Sequence, residues 1–189
     1  MFFNAPFILL LISVIAIIFI LYFVLHKKPI KQIQRVFSFT LICVLIISFG
    51  VLLQYICYNK YKINPTFFEN FIYIGTCFLP VSMFLMSRVF SETKIKFKKT
   101  YILLFIIPIL TLIMVWTNKY HHLFYKQYSV NLNEMQYGTY FYIHTIYSYG
   151  LLFVSMISLI ISSNKNSGLF SRQSLCFIIG TLIPVIANI

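Results

Sequence analysis

Residues 6–25 read PFILLLISVIAIIFILYFVL, and His26, Lys27 and Lys28 follow at once. An uncharged stretch of about 20 residues is what an α-helix needs to cross the hydrocarbon core of a bilayer. With no water to satisfy backbone amides there, an unbroken apolar run of this length means a helix. It is not a signal peptide, because residues 1–6 carry no basic residue and no small-residue cleavage pattern follows. The stretch reads as a permanent helix with its N-terminus outside, stopped on the far side by the basic cluster.

Comparable runs lie at about 36–57, 67–90, 101–117, 139–162 and 173–189. None alternates over about 10 residues as the strands of a membrane barrel do. The fold class predicted is an all-α membrane protein, a bundle of six transmembrane helices from a seven-helix architecture, with residues 1–189 forming one membrane unit. Composition agrees: 60% of the 189 residues are hydrophobic and 10% charged, where soluble domains carry about 45–50% and about 25%. That excludes a soluble enzyme, a nucleic-acid-binding domain and a disordered tail. The net charge of +12 sits between apolar runs, where topology and anionic headgroups explain it better than nucleic acid does. Cys43, Cys57, Cys77 and Cys176 lie inside the runs with no CxxC spacing, and read as small hydrophobes.

Basic residues sort the loops. Lys27, Lys28, Lys31 and Arg35, then Arg88, Lys94, Lys96, Lys98 and Lys99, then Lys165 and Arg172 flank the odd-numbered loops. Only Lys60, Lys62, Lys119 and Lys126 flank the even-numbered ones. Eleven against four predicts odd loops in the cytoplasm and the N-terminus outside. On that parity the sixth run travels outward and ends at Ile189, so a continuation into a seventh span is expected.

The longest connection, Asn118 to Gly138, is rich in aromatic residues, among them Tyr120, Phe124, Tyr125, Tyr128 and Tyr137. Such rings ordinarily mark a membrane interface. Several polar side chains inside or ending the runs share an outer depth: Gln54, Thr117, Asn118, His144 and Asn188. His144 lies about 7.5 Å inside its helix at 1.5 Å per residue. These groups read either as an outward-facing polar pocket or as hydrogen-bonding glue between helices. Tyr140, Tyr147 and Ser148 share the His144 face at helical spacing. Pro80, Pro108 and Pro184 each free a carbonyl and permit a bend. The acids Glu69, Glu92 and Glu134 lie at loops or helix ends, so a proton- or sodium-coupled carrier lacks its usual mid-membrane carboxylate. No catalytic motif, metal-ligand spacing or inverted repeat is present, and no cofactor is expected.

TNKYHHLFY (117–125), YFYIHTIYSYGLL (140–152), SRQ (171–173) and LIPVIANI (182–189) together resemble the N-terminal seven-helix region of bacterial membrane histidine kinases. The resemblance marks Thr117, Asn118, His121, His144, Tyr147, Tyr149, Arg172, Gln173, Pro184 and Asn188 as family positions. It implies an N-out sensory region in the bacterial cytoplasmic membrane, with a homodimer and a cytoplasmic output domain following a seventh helix. The 189 residues contain neither that helix nor that domain, so no enzyme activity is expected of them. Gln54, Asn118, His121, His144, Tyr147 and Asn188 are the candidate sensing residues, for an extracellular or membrane-soluble ligand. A stand-alone membrane subunit, a transporter-like component and a non-functional gene fragment are the alternatives.

Overall fold

Two lengths of chain connect the first three helices, and both are short. α1 runs over Ala5–His26, α2 over Gln32–Ile56 and α3 over Thr66–Glu92, with a π-helical turn at Cys57–Tyr61 extending α2. The computed structural model describes residues 5–61, 65–92, 99–129 and 134–165. The expected sixth helix, with Arg172, Gln173, Pro184 and Asn188, lies outside the described residues. After α3 come a 3-10 helix at Lys99–Phe105 and α4 at Ile106–Trp116. Then follow a single turn, α5 (Asn118–His121), the strands β1 (Tyr125–Gln127) and β2 (Gln136–Tyr137), and the long α6 (Thr139–Lys165).

α1, α2, α3 and α6 are each long and apolar enough to cross a membrane. Among the described residues, Val14 is the one buried side chain of α1, and large hydrophobic side chains are exposed around its circumference. α3 is the central helix, packed against α2, α6 and α4.

The fourth run departs from a simple helix, and Pro108 explains why. Proline has no N–H to give the carbonyl four residues back, so the α ladder cannot run back through Leu104. The chain winds instead as 3-10 helix up to Phe105, which leaves Pro108 in the first turn of α4. Because 3-10 helix rises about 2.0 Å per residue, the two pieces together still reach about 30 Å. The freed Leu104 carbonyl accepts the Tyr147 hydroxyl of α6. Tyr147 thus ties α6 to the start of the fourth run.

Lipid offers no hydrophobic drive to bring apolar helices together, so small residues and close packing decide the contacts. α2 buries Ser38, Thr40, Cys43 and Gly50. A side chain added at Gly75 on α3 would lie 2.5 Å from the Cys43 carbonyl oxygen and 2.7 Å from Ile47. One at Gly50 would lie 2.6 Å from Ile72. Gly75→Val is therefore expected to push α2 from α3 and destabilise the bundle by about 1–3 kcal/mol. Thermal unfolding in detergent reads this, and an unchanged midpoint would show that the helices do not meet at that glycine.

Two cores result. One is built from Val36, Val81, Leu85, Met86, Val89, Phe90 and Leu159, with Tyr147 and Leu151 packed against it. At that end Ser91 also bonds across to the Ser158 carbonyl of α6 at 3.2 Å. The other core lies toward the opposite end of α3 and draws in the chain between α4 and α6.

Candidate functional site

The second core forms because the connection after α4 does not lie on the surface. Thr117 donates its hydroxyl to the Ile113 carbonyl at 2.6 Å, and its oxygen meets Nε2 of His121 at 3.0 Å. Nδ1 of His121 accepts the Leu123 amide at 3.0 Å, which leaves the ring hydrogen on Nε2 to donate to Thr117. His122, next in line, ends the turn in the left-handed region at φ 53°. The chain then doubles back over Asn118. Its Oδ1 accepts the amides of Phe124 and Tyr125 at 2.9 and 3.0 Å, and its Nδ2 donates to the Tyr125 carbonyl at 2.9 Å. Every hydrogen-bonding atom of that side chain group is spent on the loop backbone.

The return is equally tight. Gly138 donates its amide to the Phe124 carbonyl at 2.8 Å, and Tyr140 donates to Leu123 at 3.0 Å. A Cβ at Gly138 would lie 2.0 Å from the Leu123 carbonyl oxygen, so only glycine fits that approach. β1 and β2 pair antiparallel beside it, Tyr125 opposite Tyr137.

This clamp seats Phe124 in the end of the bundle with none of its surface exposed. Its ring centroid is 5.0 Å from Tyr73 of α3 and 5.5 Å from Phe141 of α6, both edge-on, the geometry aromatic pairs prefer. Cys77 and Val115 complete the buried cluster, and Tyr137 stacks on Phe141 at 3.9 Å. His144 lies beneath, 6.2 Å from the Phe124 ring and only 5% exposed. Its Nδ1 is 3.4 Å from Thr111 Oγ1, whose own hydrogen goes to the Ile107 carbonyl, and its Nε2 is 3.5 Å from Ser148. Three spanning segments and one loop therefore share a single aromatic core.

A second ring of contacts clasps the rim. Glu69 opens α3, and its carboxylate accepts the hydroxyls of Tyr125 at 3.3 Å and Tyr128 at 3.4 Å and the amide of Gln54 at 3.3 Å. Gln54 also donates to the Tyr128 oxygen at 2.9 Å. Burial pushes both phenols above the ordinary phenol range, and the Glu69 charge raises them further. A group held protonated in the folded state stabilises it fully below its unfolded pKa, about 10 for tyrosine, and loses that contribution as pH rises beyond. The clasp is expected to hold unchanged from neutral pH to about 10 and to loosen above it. In a titration of tyrosinate absorbance, part of the signal should appear at higher pH in the folded chain than in the denatured chain. Coincident curves would contradict a buried clasp.

The described candidates are thus distributed over three neighbouring tasks and do not line one open polar pocket. Thr117, Asn118 and His121 shape the loop, Gln54 belongs to the rim, and His144 is sealed under Phe124. Tyr147, expected among the hydroxyl partners of His144, turns to Leu104 because a proline leaves that carbonyl open. Tyr149 is exposed on another face of α6. Asn188 lies outside the described residues. Glu69, Thr111, Tyr73 and Phe124 were not among the candidates. Aromatic residues of the loop divide: Tyr120 is exposed, as interface residues are, while Phe124 and Tyr125 are core.

A family model described as the N-terminal 7TM region of histidine kinase matches residues 9–189. The chain belongs to that family. It is a multi-pass membrane protein, and the histidine-kinase 7TM region is an input region that is not itself catalytic. No curated protein and no solved structure matches.

Proposed function

We propose that this histidine-kinase 7TM region perceives an extracellular or membrane-dissolved cue through the Phe124-centred cap. The basic-residue count supports an N-terminus and a 118–138 connection outside the bacterial cytoplasmic membrane. The observation that carries the reading is the complete burial of Phe124 among α3, α4 and α6. A loop that merely joined two helices would leave its aromatic residues in the interface. Here the loop supplies the central ring of the helix core, so anything that lifts or reseats it changes how three helices pack.

A cue shifts such an equilibrium only by binding one cap arrangement better than the other. Glu69, Gln54, Tyr125 and Tyr128 are the groups at the rim that such a ligand would meet first. Within the bundle, α3 links the cap to the opposite end, where Ser91 and Phe90 pack near Ser158 and Leu159 of α6. Those ends would face the cytoplasm and the kinase.

The test is autophosphorylation of a histidine kinase carrying this input region. Glu69→Gln keeps the shape but weakens the charge-assisted bonds to three donors, which are the stronger kind. A changed basal output, in the same direction for Glu69→Gln and for loss of the Asn118 clamp, is expected. Basal output and cue response identical to wild type in both variants would remove the cap from signalling.

A further inference from the structure

We propose that the groove beside Arg35, at the end of the bundle away from the cap, is a binding site for an anionic phospholipid, one acyl chain in the groove and the headgroup on the guanidinium. Among the described residues, an open groove of about 570 Å³ lies between the start of α2, the inner half of α3 and the junction of the 3-10 helix with α4. Ile30, Val36, Phe39, Leu85 and Phe105 give it apolar walls, and Gln32 and Arg35 are its polar lining. That volume lies in the range of built small-molecule sites.

Charge selects the occupant. Arg35 is exposed and lines the groove. Lys31, also exposed, precedes it by one helical turn, and Lys28 and Lys31 flank the lining residue Ile30. The turn carrying these lysines is held against α2, since Gln34 donates to the Lys27 carbonyl at 3.2 Å and to Val24 at 3.4 Å. A free phosphate would match the cations and leave the apolar walls wet. A zwitterionic lipid would fill the walls without net attraction at the rim. An anionic amphiphile satisfies both, as basic pockets between spanning helices do for charged headgroups. The bidentate fork of arginine suits a phosphodiester better than an ammonium does.

The experiment places the intact chain in vesicles of phosphatidylcholine containing a minor share of phosphatidylglycerol or of phosphatidylcholine bearing a photoreactive acyl chain. Labelled peptides are then identified by mass spectrometry. Labelling of the peptides around Phe39, Leu85 and Phe105 is expected to be about fivefold stronger with the glycerol headgroup. Arg35→Gln, a change at an exposed position, should erase that preference, and Arg35→Lys should keep part of it. Equal labelling by the two headgroups, or a preference that survives Arg35→Gln, overturns the proposal. So does a disulfide between Phe39→Cys and the native Cys176, because the groove would then be occupied by the chain's own last apolar run.

Discussion

Replacing Phe124 with alanine is expected to cost about 3–5 kcal/mol of cap stability, the range for a large aromatic removed from a closed site. Phe124 is fully buried and touches α3, α6 and the loop's own Tyr125. The surrounding rings cannot collapse freely into the space. Asn118 and Gly138 fix the backbone on both sides of it, and Tyr137 is already stacked on Phe141. The vacated space would also open toward His144, whose polar neighbours Thr111 and Ser148 would gain access to water. Limited proteolysis in the 118–138 connection should accelerate by more than tenfold, since each 1.4 kcal/mol is a factor of ten in the open population. Phe124→Leu, which retains most of the volume, should lose far less. Equal protease resistance of Phe124→Ala and wild type would mean that the ring does not hold the loop.

Asn118→Ala is expected to cost about 2–4 kcal/mol, because it strands two amides and a carbonyl that the loop has turned inward. The full penalty for buried groups is reduced because the side chain is half-buried and water can reach part of the gap. Asn118→Asp separates the two halves of the clamp. It keeps the acceptor for Phe124 and Tyr125 but sets a negative oxygen against the Tyr125 carbonyl, so it should be at least as damaging as alanine. A structural asparagine that served only as a helix terminus would show the reverse order, because aspartate and asparagine cap helices about equally well. Near-ultraviolet circular dichroism, which reports the packed aromatic rings, should fall in both variants while far-ultraviolet helicity persists.

Much of this fold is legible because bilayer thickness turns hydrophobic length into helix length. Residues 6–25 needed nothing else, and the Pro108 carbonyl argument follows from a single residue. What sequence could not supply is which polar groups meet. His144 has tyrosines at helical spacing, yet its nearest partner on the other side is Thr111, 33 positions away on another helix. Glu69 stands at a helix start, where an acid is ordinary, and becomes the rim's anchor only because the loop returns two tyrosines to it. The loop was the hardest to read, since an aromatic-rich connection at a membrane looks the same whether its rings face lipid headgroups or fill a core. One signal was present: Gly138, placed between TNKYHHLFY and the next helix, is the kind of residue that permits a close backbone return.

The cap is tested most directly by hydrogen exchange on the unmodified chain in lipid nanodiscs. The amides of Phe124, Tyr125, Gly138 and Tyr140, each bonded in the seated cap, should exchange as slowly as those in the middle of α4. Exchange of these four at the rate of an open surface loop, with α4 still protected, would contradict a seated cap and the sensing role built upon it.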